Sequence, residues 1–375
     1  MEWKTAWKYQ TINFGMQVGN ASGMTQHLLI KTPIKGNKLR FLLDNRLQHF
    51  PMILSNLQLT IEGSHYSVSL NHNSKVLLDA GESAYTDEIP VSISAGDIIE
   101  FTMTFEQAIE IKGFCQTWST EFWHTRFSDG SGNPLDRSEI VPSLKNEAIS
   151  SSIAIGVSQM EILTTEMVRT LCLFGDSITQ MSYYSDALLY RLLSEQSGKA
   201  VMINAGISGN RLCYDAPSKF RTLSFFGEAG VKRFGKDVLA HKPDIILMLF
   251  GINDITQGFL YQSKNEVPTV DSFCKEYANI IQAAQHHNAK IYIGTILPEN
   301  AFATEEWYSQ SEDLRLSIND WIKTQTLSDG ILDFAGATTG SDGVLKDGFH
   351  LDHLHPNTDG GKAMANIIPL DEILN

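Results

Sequence analysis

Residues 245–250, Ile-Ile-Leu-Met-Leu-Phe, form an unbroken apolar run that is followed at once by Gly251-Ile252-Asn253-Asp254. A short run with no polar face suits a strand buried on both sides, and such strands belong to parallel sheets covered by helices. Three other segments, Val168–Phe174, Val201–Ile203 and Ile291–Ile296, are of the same kind. Between them lie helical stretches. Leu188, Leu189, Leu192 and Leu193 repeat at i, i+1, i+4, i+5, and residues 231–240, 271–287 and 308–324 read as further helices. Strand and helix in alternation give a parallel sheet with helices on both faces.

Upstream of residue 165 the period changes to two. Ile99, Phe101, Met103 and Phe105 alternate with Glu100, Thr102, Thr104 and Glu106. Leu57, Leu59 and Ile61 alternate in the same way, as do Tyr66, Val68 and Leu70. Turn residues separate these runs, at Glu62-Gly63-Ser64 and Ala95-Gly96-Asp97. The pattern predicts half-buried antiparallel strands of an all-β, sandwich or jelly-roll-like domain. A chain of 375 residues exceeds one typical domain. The expected division is a β-sandwich domain over 1–165 and an α/β catalytic domain over 166–375.

Charge limits the partners. With 43 acidic against 29 basic residues the formal charge is -14, which argues against nucleic acid and against an anionic membrane surface. No apolar stretch is long enough to span a bilayer. The opening MEWKTAWKYQ lacks the apolar core of a signal peptide. The cysteines Cys115, Cys172, Cys213 and Cys274 are too few for a disulfide framework. The expectation is a cytoplasmic protein, with a homo-oligomer left open.

Ligands of open α/β sheets bind at the carboxyl ends of the strands. Polar, Gly-containing segments stand at three such ends: Gly175-Asp176-Ser177-Ile178, Asn204 to Asn210, and Gly251 to Asp254. A fourth, Asp352-His353-Leu354-His355-Pro356-Asn357, lies near the C-terminus. Singly, each is ordinary turn or cap chemistry. Together they supply a hydroxyl, an imidazole, a carboxylate and several donors, the components of acyl transfer. Ser177 is the expected nucleophile, at a sharp strand-to-helix turn. His355 is its expected base and then the acid for the leaving alcohol. Asp352, three residues earlier, can fold back and fix the imidazole tautomer. Pro356 suits the first turn of a following helix. The N–H groups of Ser177 and Gly209 and the amide of Asn253 can form an oxyanion hole. Asp176 and Asn210, beside these residues, are expected to contact substrate. A second Asp-x-x-His, Asp347 to His350, is an internal rival, but it lacks the Pro-Asn that follows His355.

The order Gly-Asp-Ser, Gly, Gly-x-Asn-Asp, Asp-x-x-His resembles the signature of the SGNH (GDSL-like) hydrolase superfamily. NAGISGNRL, GEAGVKRFGKDVLA, LFGINDI and DHLHPN resemble its lysophospholipase-like esterases, and KLRFLLDNRLQHFPMILSNLQLTI resembles the β-domain that precedes the catalytic domain in many of them. The resemblance implies a three-layer α/β/α domain, a serine esterase activity, no metal and no cofactor. Residue by residue it implies Ser177, Gly209, Asn253, Asp352 and His355. The first block departs from the pattern in carrying Ile178 where leucine is usual.

The expected substrate is a small-molecule ester, foremost an O-acetylated carbohydrate, on which the aromatics of Trp118 to Arg126, namely Trp118 and Trp123, would stack; the other reading is that these two tryptophans fill the interface between the domains. A lysophospholipid or other longer acyl ester is the alternative. Two readings of another class are a metal-dependent phosphoesterase, using Asp176, Asn253, His350, His353 and His355, and a sugar-binding protein without turnover.

Overall fold

The computed structural model describes residues 1–217 and 219–375. The chain forms two compact units, one of Met1–Val168 with Leu192–Ile203 and the other of Arg169–Arg191 with Asn204–Asn375.

The first unit is built on antiparallel pairing. A five-stranded sheet runs Glu2–Lys8, Val157–Thr164, Gly36–Asp44, Ile89–Ile93, with Ser83–Tyr85 also on Gly36–Asp44. A seven-stranded sheet runs Pro134–Leu135, Trp123–Ser128, Met24–Lys31, Ile98–Phe105, Met52–Ile61, Ser64–Ser67, with Val76–Leu78 also on Met52–Ile61. Met24–Lys31 and Ile98–Phe105 alternate buried and partly exposed residues along their paired lengths. Ile99, Phe101, Met103 and Phe105 therefore face inward, as the period of two predicts. Both sheets contribute to one core, where Phe41 stacks on Phe101 at 4.0 Å. This is a β-sandwich. The strand expected through Val68 and Leu70 ends at Ser67. Asn71 and His72 have positive φ there, and the Asp87 carboxylate takes the hydroxyl of Ser69 and the N–H groups of Asn71 and His72 into a turn.

The second unit carries the α/β fold. The sheet order is Ala200–Gly206, Arg169–Gly175, Ile245–Leu249, Lys290–Gly294, Gly330–Leu332, of which the last four lie wholly in this unit and the first only from Asn204 onward. The last four pair in parallel. Every residue of Ile245–Leu249 is buried, which is why that segment has no polar face. The arrangement is the three-layer α/β/α fold expected from the sequence. Helix Tyr308–Thr324 has the expected bounds. The helix near 231–240 is Gly230–Asp237, continued as a 3₁₀ turn, Leu239–His241, and closed by Lys242 at φ 48°. The strand expected to reach Ile296 stops at Gly294, because the Ile296 N–H is taken by the Asn319 side chain. All four cysteines are free thiols. Among the described residues, no helix is long and apolar enough to cross a membrane.

Candidate active site

Ser177 opens a short helical turn, Ser177–Gln180, directly after the strand Arg169–Gly175. The turn is sharp because Gly175 has no side chain: a Cβ there would lie 2.2 Å from Thr179 Oγ1 and 2.7 Å from the Leu249 carbonyl. Asp176 caps the turn, accepting the Ile178 N–H at 3.0 Å. Its carboxyl is buried, and burial pushes its pKa up to about 7 against the opposing pull of the Ile178 N–H and of His355. Asp176, expected to contact substrate, is thus enclosed and engaged in capping the turn that Ser177 opens.

The Ser177 hydroxyl lies 2.8 Å from His355 Nε2. On the other side of the ring, His355 Nδ1 is 2.8 Å from Asp352 Oδ2. With Nδ1–H donating to that carboxylate, Nε2 is left as the acceptor for the serine hydroxyl. Asp352 Oδ1 also accepts the N–H groups of Leu354, at 3.2 Å, and His355, at 2.8 Å. Partial burial works to raise the Asp352 pKa, but the His355 ring and these two N–H groups outweigh it and hold the carboxyl at about 2. The rival His350 is turned elsewhere: its ring packs on that of His353 at 4.4 Å and its Nδ1 accepts the His353 N–H. Pro356 does not open the next helix. Asn357 caps it, its side-chain oxygen accepting the N–H groups of Asp359 and Gly360, so Pro356 lies one residue outside the cap.

Gly209 has φ 72°, a conformation suited to glycine, and a Cβ there would strike the Phe226 ring at 2.2 Å. Among the described residues no hydrogen bond engages the N–H of Ser177 or of Gly209. Asn253 sits in the first turn of helix Ile252–Leu260. One turn on, the buried Gln257 donates from Nε2 to Asn253 Oδ1 at 3.1 Å and to the Gly209 carbonyl at 2.8 Å. This fixes which way the Asn253 amide faces, leaving Nδ2 as its donor end, at 3.2 Å from the Asn210 carbonyl. Asn210 itself is buried and committed: its amide donates to the Phe226 and Glu228 carbonyls, and its oxygen accepts from Arg233. Substrate contact was expected of Asn210, and the structure places its side chain among these three partners.

Two residues that sequence reasoning passed over hold these segments together. Asp254 accepts the N–H groups of Leu212 and Cys213, both at 2.8 Å, and so ties the 210–213 segment to the Asn253 helix; burial, opposed by those bonds, raises its carboxyl to about 6. Arg233, 1% exposed, donates to the Gly175 carbonyl at 2.9 Å, the Ala205 carbonyl at 2.7 Å and Asn210 Oδ1 at 2.8 Å, and pairs with Asp237 at 3.3 Å. Its guanidinium lies 4.5 Å from the Phe174 ring centre and 5.7 Å from that of Phe250. Burial lowers its pKa to about 10, which leaves it charged at neutral pH.

The two tryptophans belong to the β-sandwich unit. Trp123 is 1% exposed and packs edge-on against Trp7 and Tyr9, with ring centres 5.4 and 5.1 Å away. It is a core residue, which corrects the expectation that it stacks on substrate. Trp118 is partly exposed and lines a groove of that unit.

The model of the GDSL-like lipase/acylhydrolase family matches residues 173–363, just over half of the chain. The chain belongs to this family. It is thus an SGNH-type carboxylic ester hydrolase. Among solved structures, a GDSL-like lipase from Bacteroides thetaiotaomicron is 17% identical with a TM-score of 0.40, covering 55% of this chain and 87% of its own. An acetyl xylan esterase from Geobacillus stearothermophilus is 19% identical with a TM-score of 0.42, covering 55% of this chain and 94% of its own. A search of curated proteins found no match.

Proposed function

We propose that this GDSL-family acylhydrolase cleaves esters through an acyl-serine intermediate, and that its substrates are O-acetyl esters of carbohydrates. The observation that carries the mechanism is the unbroken relay from Ser177 through His355 to Asp352, with both links at 2.8 Å. His355 Nε2 takes the serine proton as Oγ attacks the ester carbonyl. The tetrahedral oxyanion meets the N–H groups of Ser177 and Gly209 and the Asn253 amide. His355 then returns the proton to the leaving alcohol, and water repeats the sequence on the acyl-serine. Asp352 stays ionised throughout, since His355 and two N–H groups hold its carboxyl near 2.

The Phe226 ring supports a short acyl group. It fills the space where a Cβ on Gly209 would stand, beside one of the proposed oxyanion donors.

The test has two parts. A fluorophosphonate should label Ser177 with one equivalent, and Ser177→Ala should abolish both labelling and hydrolysis. A panel of acetylated sugars and of p-nitrophenyl esters with lengthening acyl chains should show kcat/KM highest for acetate. Turnover by Ser177→Ala would overturn the mechanism, and a preference for long chains would overturn the substrate reading alone.

A further inference from the structure

We propose that a groove on the β-sandwich unit binds a neutral oligosaccharide, with Trp118 as its stacking platform. The groove has a volume of about 970 Å³ and is lined only by residues of that unit. This is the size range of specific small-molecule sites. Its floor is the outward face of three neighbouring strands. In the register, His27 sits between Thr102 on one side and Arg126 on the other. Glu100 Oε1 lies 2.9 Å from His27 Nδ1 and 3.3 Å from Arg126 Nη2. A carboxylate, an imidazole and a guanidinium are thus mutually oriented before any ligand arrives. Both contacts fall on one carboxylate oxygen, which leaves the other, and the remaining guanidinium N–H groups, to bond hydroxyls. On the wall, Arg137 is anchored by Glu147 at 2.6 Å.

The partly exposed indole of Trp118 borders this polar floor. A pyranose has the complementary chemistry: an apolar C–H face for the indole and a rim of hydroxyls for planar donors and acceptors. The charge argues against an anionic chain. Three carboxylates, of Glu100, Asp129 and Asp136, line the groove against two guanidiniums, of Arg126 and Arg137, and the protein's net charge of -14 also opposes a polyanion. The groove would take a ligand of the same chemical class as the substrate proposed above, and so rests on that reading for its biological sense, but its binding is measurable without turnover.

The full-length Ser177→Ala protein is titrated by calorimetry and tryptophan fluorescence with xylohexaose, cellohexaose, mannohexaose and an oligogalacturonate. At least one neutral hexaose should bind with Kd below about 1 mM. Adding Trp118→Ala, checked for an unchanged melting temperature, should weaken it about tenfold. Adding the exposed change Arg126→Ala should also weaken it, and decides the matter if Trp118→Ala does not fold. No binding by any neutral hexaose, unchanged affinity in these variants, or a preference for oligogalacturonate would overturn the proposal. Hydrolysis of p-nitrophenyl acetate by the wild-type protein is followed separately, so that a failure of the groove is distinguishable from a failure of the esterase reading.

Discussion

Replacing Arg233 with methionine should damage stability and turnover together, by separable routes. The side chain is 1% exposed and its guanidinium serves two carbonyls, one amide oxygen and Asp237. Methionine fills much of the volume but donates nothing. Asp237, only 7% exposed, loses its partner, and three enclosed acceptors lose a donor. Breaking a buried pair from one side costs about 3–5 kcal/mol, largely as the penalty on the group left behind. The carbonyl of Gly175 lies two residues before Ser177, and Asn210 follows Gly209 directly. Both would shift, and a displacement of about 1 Å costs roughly 10² in rate. Urea unfolding and p-nitrophenyl acetate kinetics measure the two effects. Adding Asp237→Leu removes the stranded charge and should restore much of the stability, because deleting both partners is far less costly than deleting one. It should not restore kcat, since the Asn210 oxygen still lacks its donor and the Gly175 carbonyl keeps only the Ile207 N–H. If Arg233→Met lost less than about 1 kcal/mol and kept its kcat, or if the double variant recovered full kcat, the reasoning would be wrong.

His355→Ala should be nearly as inactive as Ser177→Ala, because nucleophile and base act as a unit, whereas His350→Ala should stay within about tenfold of wild type; comparable losses in the two histidine variants would revive the rival pair. Asn253→Ala should lower kcat by roughly 10²–10³, and Asn253→Asp at least as much, since a carboxylate repels the oxyanion; an active aspartate variant would remove Asn253 from the hole. Asp176 titrates near 7 in the fold against 3.8 for an ordinary aspartate, so between those values the native state holds the proton more tightly than the unfolded chain. Stability should therefore fall as pH rises across that window and level off above about 7. Asp176→Asn keeps the capping oxygen and loses the titration, so its thermal midpoints should fall less from pH 4 to 8, and parallel curves for the two proteins would refute the assignment.

What was legible from the sequence depended on how local the determining contacts are. Ile245–Leu249 was legible because a strand covered on both faces cannot hide its composition. Gly330–Leu332 was missed because three residues with mixed burial carry no period. The folding-back of Asp352 onto His355 spans only a few residues, so its spacing announces it. Arg233 could not be read in this way. In GEAGVKRFGKDVLA it looks like any surface cation, and its burial depends on carbonyls at Gly175 and Ala205, far back in the chain. Gln257 was nearer to hand: it stands four residues after Asn253, on the same helical face, and that spacing could have suggested it. Trp123 was misjudged although a signal was present. Trp123, Thr125 and Phe127 alternate with His124, Arg126 and Ser128, and that parity places Trp123 on the inward face with Phe127.

Asp352 and His355 lie in one short turn, and the backbone N–H groups of that turn bond the same carboxylate that steadies the ring. The imidazole and the carboxylate that orients it therefore reach Ser177 as a prefabricated part. Only one long-range separation, from Ser177 to His355, has to be correct for the relay to close. Loops elsewhere in the catalytic unit can lengthen without disturbing the alignment of acid and base, which travels with the turn. The same economy creates a single point of failure. Helix Thr358–Asn366 holds the turn through its cap, Asn357, which also bonds the carbonyls of Gly348 and His350. If this cap is lost, both groups should leave together, and hydrolysis by the proposed relay should stop while the sheet still stands.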